Sequence, residues 1–127
     1  MLALQIESYQ NIQNAKEMSG REIEAAALTR CALMLEACRK NWYTIGRDKH
    51  LQEALRNNQI MWSILQSELV REDNPLPIEI RNNILTLSVF IDKRTIEVMT
   101  HPDPEKLKII VDINLNLAAG LRGSPAD

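Results

Sequence analysis

Two histidines and two cysteines are the side chains of this chain best suited to nucleophilic or metal chemistry. His50 and His101 stand at or near predicted element boundaries, far in sequence from Cys31 and Cys38. The Cys-x2-Cys and His-x3-His spacings that bring metal ligands together are missing. On a helix, two cysteines seven positions apart lie roughly 10 Å apart along the axis, too far for a disulfide. We therefore expect both cysteines to be buried apolar residues, with a Cys–His pair assembled by folding as the less favoured alternative.

Carboxylate pairs and glycines give no stronger indication of catalysis. The pairs Glu22/Glu24 and Glu72/Asp73 are more simply solvated helix faces or helix-end charges than a general acid and its base. The four glycines are never closer than three positions apart and none follows a predicted strand, so a phosphate-binding loop is not predicted. No enzymatic activity, metal or cofactor is expected, although a catalytic pair of carboxylates stays open as the weaker alternative.

The charge of the chain is small and evenly distributed. Fifteen basic and 17 acidic residues among 127 leave a net charge of −2, and residues 1–46 carry five of each sign. Nucleic-acid binding is not favoured, because phosphate recognition needs clustered lysine and arginine. No apolar run approaches the roughly 18 residues of a membrane span, and the N-terminus lacks the pattern of a signal peptide. The expectation is a cytoplasmic protein without a membrane partner.

Glycine and proline divide the chain into stretches long enough for helices, which would position any functional side chain. Apolar residues recur three and four positions apart within each stretch, the spacing of amphipathic helices. We predict an all-α fold, a compact bundle of four long helices in a single domain over 1–127, with room for a short extra helix over 2–15. Residues 1–18 form an N-terminal segment and 122–127 a flexible tail in this prediction. The four stretches are 21–45, 47–74, 78–101 and 105–119.

Polar residues and prolines mark where these helices begin. Ser19 opens a capping-box pattern before the first long helix. Asp48 is predicted to be the N-cap of the second helix, and Pro77 is expected in the first turn of the third. Asp103 followed by Pro104 predicts the start of the last helix, by a capping side chain and a fixed backbone dihedral.

Several polar and aromatic residues lie on or beside the predicted apolar stripes. Asn58 falls on the inward stripe of the second helix, so it should have a hydrogen-bonding partner. Trp42 and Trp62 are expected to anchor the core rather than a partner. Asp92 lies beside the stripe of the third helix. It is expected to pair with an arginine of a neighbouring helix or with Lys93 or Arg94, and contact with a partner protein is the alternative.

The last helix is apolar on two sides. One face carries Leu107, Ile110, Val111, Leu117, Ala118 and Leu121, and Ile109 and Ile113 add a second side. A helix of this kind needs either a central place in the bundle or a second partner. The central place is slightly favoured, because helices that are apolar all round are usually buried. The second side is nevertheless the best candidate for an interaction surface.

An ordered string of residues runs from the second predicted helix into the third. It reads Asn57-Asn58, Met61-Trp62-Ile64-Leu65, Leu69, Asn74-Pro75-Leu76-Pro77, Ile80-Arg81, Ile84-Leu85-Leu87-Ser88, Ile91-Asp92 and Thr95. This string resembles the FlaF family, small flagellar biosynthesis regulators of alphaproteobacteria. The run from Arg21 to Ala26 is similar to the start of the family's first long helix, and Ile109, Ile113-Asn114 and Gly120-Leu121 fit its closing segment.

The resemblance implies a role without catalysis. FlaF-like proteins promote the synthesis and secretion of flagellin, and they oppose FlbT, a regulator that restrains flagellin translation. Direct binding of flagellin in the manner of an export chaperone is the implied mechanism, by docking of an apolar helix in a groove. An RNA-binding regulator of flagellin translation, acting with or against FlbT, is the alternative, and a generic helical bundle with a coincidental likeness is the third.

The resemblance and the apolar pattern together name the candidate site residues. Phe90 stands where the family pattern commonly has tryptophan. The candidate flagellin contacts are Ile109, Ile113, Leu117, Asp92 and Phe90. The residues expected to hold the fold together are Asn58, Trp62, Leu65, Asn74, Pro77, Ile84, Leu87 and Ile91.

Overall fold

A computed structural model describes residues 20–123 of the chain, and within that range it consists of four helices without a strand. The all-α prediction is confirmed. The predicted helix over 2–15, the capping residue Ser19 and most of the tail lie outside the described residues. The helices are α1 (Gly20–Lys40), α2 (Arg47–Leu69), α3 (Ile78–Thr100) and α4 (Pro104–Leu121).

Consecutive helices run antiparallel, and the first and last helices lie side by side. Arg122, just after α4, donates a hydrogen bond to Thr29 Oγ1 near the start of α1, at 3.2 Å. At the other end of the pair, Lys108 of α4 lies close enough to Glu36 of α1 to lower the pKa of its carboxyl, behind the stronger effect of the Arg39 hydrogen bond. The four helices therefore form an up-and-down bundle.

The closest packing in the bundle joins α1 to α4, and α3 has the least contact with its neighbours. Alanines explain the close pair: Ala25 and Ala32 of α1 and Ala118 of α4 are completely buried. Because the distance between two helix axes depends on the side chains at the contact, small residues there let the helices approach. Leu28 and Leu35 fill the space between these alanines on the same stripe.

The second helix begins earlier than the sequence predicts. Its N-cap is Gly46, with φ 83°, and Asp48 lies inside the first turn, where it forms an ion pair with Arg47 at 2.7 Å. The prediction of Asp48 as the cap is therefore wrong. Gly46 reverses the chain with a left-handed backbone that glycine adopts without steric cost, and this lets the helix start at the next residue. A carboxylate in the first turn still interacts favourably with the helix dipole.

The start of α3 differs from the prediction, and the start of α4 agrees with it. Pro77 is the N-cap of α3 rather than a residue of its first turn, because its extended ψ of 147° keeps it outside the helix while its carbonyl accepts from Arg81 N at 3.0 Å. Asp103 caps α4 as predicted, with its carboxylate accepting from Glu105 N at 2.9 Å. Pro104 follows as the first helical residue.

A buried polar network links α2 to α4 across the middle of the bundle. Trp62 Nε1 donates to Asn114 Oδ1 at 3.0 Å, and Asn114 Nδ2 donates to Asn58 Oδ1 at 2.7 Å and to the carbonyl of Leu28 at 3.4 Å. All three side chains are fully buried. Asn58 thus has a partner of the kind that its place on the inward stripe requires. The amide nitrogen of Asn58 has no partner among the described residues.

The remaining structural candidates occupy the core or the turn after α2. Leu65, Ile84 and Ile91 are buried, and Leu87 is half-buried against them. Asn74 holds the turn together, donating to the carbonyl of Glu68 at 3.1 Å and accepting from Leu76 N at 2.9 Å. The expected burial of both tryptophans and both cysteines is confirmed, and both cysteines are free thiols whose pKa is raised mainly by that burial.

Candidate partner-binding surface

The second apolar side of α4 is partly open to solvent. Ile109 keeps 37% of its surface exposed, whereas Ile113 is half-buried against the core. Leu117, which the sequence places on the buried face, is also only half-buried. The helix is therefore not enclosed on all sides: Ile109 is exposed, and Ile113 and Leu117 are partly covered beside the core.

One flank of α3 lies beside this side of α4. The buried stripe of α3 includes Ile91, and Asp92, one position further, faces α2, where its Oδ2 accepts from Gln66 Nε2 at 3.3 Å. Phe90, one position earlier, therefore lies on the opposite flank, toward α4. Phe90 is 37% exposed.

The antiparallel pairing of α3 with α4 brings four of the five candidate contacts onto one surface. Only three residues connect the two helices, so residues at equal distances from the connection lie at the same level, and Phe90 is level with Asn114, the residue next to Ile113. The same pairing places Ile84 of α3 beside Leu117 of α4 around one small cavity. We call Phe90, Ile109, Ile113 and Leu117 the α3–α4 surface.

Asp92 is not part of the α3–α4 surface. The prediction that it pairs with an arginine or with Lys93 is wrong. Its contact is the amide of Gln66, while Arg94 lies 3.6 Å from Glu97. Side chains one or two positions apart on a helix point in different directions, whereas residues three apart are neighbours. This spacing explains why Arg94 meets Glu97 and not Asp92.

Arg94 borders the α3–α4 surface. The guanidinium carbon of Arg94 lies 5.4 Å from the ring centre of Phe90, a cation–π contact that covers one face of the ring. The four residues of the surface itself are three branched apolar side chains and one aromatic ring. An arrangement of this kind suits the burial of another apolar helix stripe.

Two exposed apolar groups were missed at the sequence level. Val89, Ile96 and Met99 form an exposed stripe on α3, one position along from the buried residues. Helical spacing alone could have identified this stripe, since the apolar face of α3 is wider than the part that is buried in the core. Tyr43 and Ile45, in the turn between α1 and α2, are fully exposed, and no periodicity could have identified them.

A third missed feature is a carboxylate pair between α1 and α2. Glu24, expected on a solvated face, is half-buried opposite Glu68. Burial raises the pKa of Glu24 to about 8, with further contributions from a hydrogen bond with Glu68 and the negative charge of that group, and Arg21 opposes the shift. Only folding brings together two residues so distant in sequence, so neither spacing nor composition could indicate the pair.

Within residues 20–123, no three histidine, cysteine, aspartate or glutamate side chains gather closely enough to hold a metal ion. In the same range, none of the four helices has the length and apolarity needed to cross a membrane.

Known protein families provide a match for most of the chain. The family model described as flagellar protein FlaF matches residues 5–121. Searches of curated proteins and of solved structures found no match.

Proposed function

The chain belongs to the FlaF family of flagellar proteins, and on that premise we propose that it regulates flagellar biosynthesis by binding flagellin. In this proposal it acts as an export-chaperone-like helical module that promotes the synthesis and secretion of flagellin. Its role is non-catalytic. Binding flagellin before export would place it in the cytoplasm, where it would oppose FlbT.

The α3–α4 surface is the observation that carries the proposal. The terminal segments of flagellin are helix-forming and unfolded before assembly, and their apolar stripes would aggregate if left exposed. Ile109 and Phe90 are both more than a third exposed on adjoining helices, with Ile113 and Leu117 half-buried between them and the core. An apolar stripe laid across these residues would bury them and itself, which is the helix-in-groove mode of recognition.

The test compares two surface variants with a matched control. We expect Ile109→Asp and Phe90→Ser to weaken the binding of purified flagellin at least about tenfold, as measured by calorimetry, because each removes an apolar anchor. Leu115→Asp is the control, since Leu115 is exposed to a similar degree on another side of α4. Ile113→Asp belongs in the series, and thermal unfolding shows whether that half-buried position still allows folding.

Two results would overturn the proposal. The first is an unchanged affinity for flagellin in folded Ile109→Asp and Phe90→Ser variants, which would remove the α3–α4 surface from the binding site. The second is sub-micromolar, salt-sensitive binding of the flagellin message leader at physiological salt in a gel-shift experiment. That result would support the RNA-binding alternative, because neutralisation of phosphates makes such binding depend on salt.

A further inference from the structure

The Glu24–Glu68 pair lies between an open pocket and the interior of the bundle. On one side, both residues line a pocket of about 490 Å³ beside the turn that follows α2. On the other side, the same two residues border the small cavity between Ile84 and Leu117, whose volume is about 10 Å³. A cavity of that size is at the lower limit of what one water molecule needs. The pair therefore separates this cavity from the open pocket.

The rest of the cavity lining is mainly apolar. Its side chains come from α2, the turn after α2, α3 and α4, so parts of all four helices meet here with Glu24 of α1. Asn74 also lines the cavity, but its amide already bonds to the carbonyl of Glu68 and to Leu76 N. The apolar lining residues are Leu65, Leu69, Leu76, Ile84, Leu117 and Leu121.

The surroundings of Glu24 favour a protonated pair. Burial raises the pKa of Glu24 to about 8, the hydrogen bond with Glu68 and its negative charge raise it further, and the charge of Arg21 opposes the shift. Two adjoining carboxylates cannot both be ionised at low cost, so one keeps a proton and donates it to the other. The proton is therefore what holds α1 to the end of α2 at this point.

The other charged groups beside the pair add little net charge. Arg71 forms two hydrogen bonds of 2.9 Å with Asp73, and its attraction to Glu68 is weaker. Arg81 of α3 donates to the carbonyl of Arg71 at 3.0 Å. The side chains that α3 and α4 present to the cavity are uncharged. Loss of the shared proton would thus leave two carboxylates in mutual repulsion.

The turn after α2 connects the pair to α3. Glu68 is the last residue but one of α2, and its carbonyl accepts from Asn74 Nδ2 at 3.1 Å. Asn74 accepts from Leu76 N at 2.9 Å, and Leu76 packs against the core and lines the cavity with Ile84. The closest packing in the bundle holds α1 against α4, whereas α3 has the least contact with its neighbours. A displacement at the end of α2 should therefore move α3 more easily than α1.

We propose that the Glu24–Glu68 pair is a proton latch that sets the position of α3 against α4. With the proton in place, the two side chains are bonded, the cavity is closed and Ile84 lies beside Leu117. Without it, the carboxylates separate, water enters the cavity from the open pocket, and α3 moves away from α4. Because both helices build the α3–α4 surface, only the latched state presents it complete. The consequence, which rests on the proposed function, is that flagellin binds the latched state more tightly.

Methyl NMR of the full chain tests the latch without flagellin. We expect the nuclear Overhauser contact between the methyl groups of Ile84 and Leu117 to be present near pH 7 and lost near pH 9. Glu24→Gln should keep this contact at both pH values, because its amide can donate to Glu68 without titrating. Glu72→Gln, in the exposed connection after α2, is the matched control and should behave like the wild type.

Calorimetry of flagellin binding at the same two pH values tests the consequence. If only the latched state binds, the affinity follows the fraction of protein that carries the proton. A pKa of about 8 then predicts binding about tenfold weaker near pH 9 than near pH 7. Glu24→Gln should reduce this change to less than about twofold, whereas Glu72→Gln should retain it.

Three results would overturn the proposal. The first is an Ile84–Leu117 contact that persists near pH 9 in the wild type, or that Glu24→Gln loses equally. The second is a flagellin affinity that does not change with pH, and the third is a change that Glu24→Gln retains, which would assign it to groups of flagellin. A folded wild type that binds no flagellin near pH 7 contradicts the proposed function instead, and the NMR contact then still decides whether the latch exists.

Discussion

Asn114 is the residue on which the interior of the bundle depends most directly. It accepts from Trp62 and donates to Asn58, and all three side chains are fully buried. Replacing it with alanine leaves Trp62 Nε1 and Asn58 Oδ1 buried without their partner. We expect Asn114→Ala to lower the free energy of unfolding by about 2–3 kcal/mol in urea denaturation. Asn116→Ala, an exposed position two residues further along α4, should change it by less than about 0.5 kcal/mol.

Glu24 should make the stability of the protein depend on pH. The fold raises the pKa of its carboxyl from the ordinary 4.5 to about 8. Between pH 4.5 and pH 8 the folded state therefore holds a proton that the unfolded state has released. The stability contributed by this proton is complete below pH 4.5 and is lost as the pH rises through 8. Glu24→Gln should therefore stabilise the protein near pH 9, by about 1 kcal/mol because the carboxyl is only half-buried.

Thermal unfolding from pH 5 to pH 9 measures this effect. The Glu24→Gln variant should show a flatter dependence of stability on pH than the wild type, whereas Glu72→Gln, in the exposed connection after α2, should leave the wild-type dependence unchanged. Equal slopes in wild type and Glu24→Gln would show that the Glu24–Glu68 pair does not hold the proton.

For individual residues, the sequence predicts whether a side chain is buried, but it predicts only some of the contacts that the side chain makes. The burial of Cys31 and Cys38 and the need of Asn58 for a partner follow from helical spacing, because a residue's place on a stripe fixes whether it faces inward. The partner of Asn58 is 56 positions away, and the neighbour of Glu24 lies on another helix. Such pairings depend on how the helices are arranged, and local pattern does not contain that information.

The helices themselves begin and end where backbone chemistry requires, and Gly46 is the clearest instance. A Cβ at this position would meet only a side-chain atom of His50, at 3.9 Å, so space is not the obstacle. The obstacle is φ of 83°, which L-residues rarely adopt. We expect Gly46→Ala to lower the free energy of unfolding by about 1–2 kcal/mol, measured by urea denaturation.

Gly120 provides a matched comparison, because we expect its replacement by alanine to change the free energy of unfolding in the opposite direction. It lies within α4, and a Cβ there would meet nothing within 4 Å. Gly120→Ala should raise the free energy of unfolding by about 0.5–1 kcal/mol, because alanine restricts the unfolded chain and has the higher helix propensity. If both alanine variants changed stability in the same direction, the backbone explanation for Gly46 would be wrong.

Helix ends show the limit of prediction from glycine and proline. The breakers separate the four helices correctly, yet α1 ends at Lys40 and α2 at Leu69, each six positions before the next glycine or proline. In both cases an asparagine side chain bonds back to a carbonyl of the preceding helix: Asn41 to Ala37, and Asn74 to Glu68. Side-chain bonds of this type compete with helix continuation, and the hydrophobic pattern does not show them.

The bundle as a whole is unevenly packed, with α1 and α4 close together and α3 in the least contact with its neighbours. Few buried contacts allow local opening at low free-energy cost. We therefore expect the amides of α3 to exchange with deuterium faster than those of α1, as followed by mass spectrometry of peptic fragments.

Addition of flagellin should slow deuterium exchange in α3 and α4, the helices that carry the α3–α4 surface. The turn at 41–46 serves as the internal control, since the flagellin proposal predicts no change there. Equal exchange in all four helices without flagellin would contradict the uneven packing, and protection confined to α1 and α2 would place flagellin elsewhere.

The candidate site was predictable in part because α4 carries more apolar surface than one face can bury. That excess is visible in Ile109 and Ile113 without any structure. The position of Phe90 on the same surface, and the place of Asp92 on the other flank of α3, became clear only with the helix pairing. The same distinction applies to Tyr43 and Ile45, whose exposure depends on how the turn between α1 and α2 is folded.

The pairing of α1 with α4 has a consequence for how the protein is made. Among the four helices of residues 20–123, the one synthesised first has its closest contacts with the one synthesised last. Contacts so distant in sequence form late, because the whole intervening chain must be present and its ends brought together. Until synthesis is nearly complete, the alanines and leucines of α1 lack the surface that covers them. A nascent chain stalled before Pro104 should therefore remain sensitive to protease, however well its first three helices are formed.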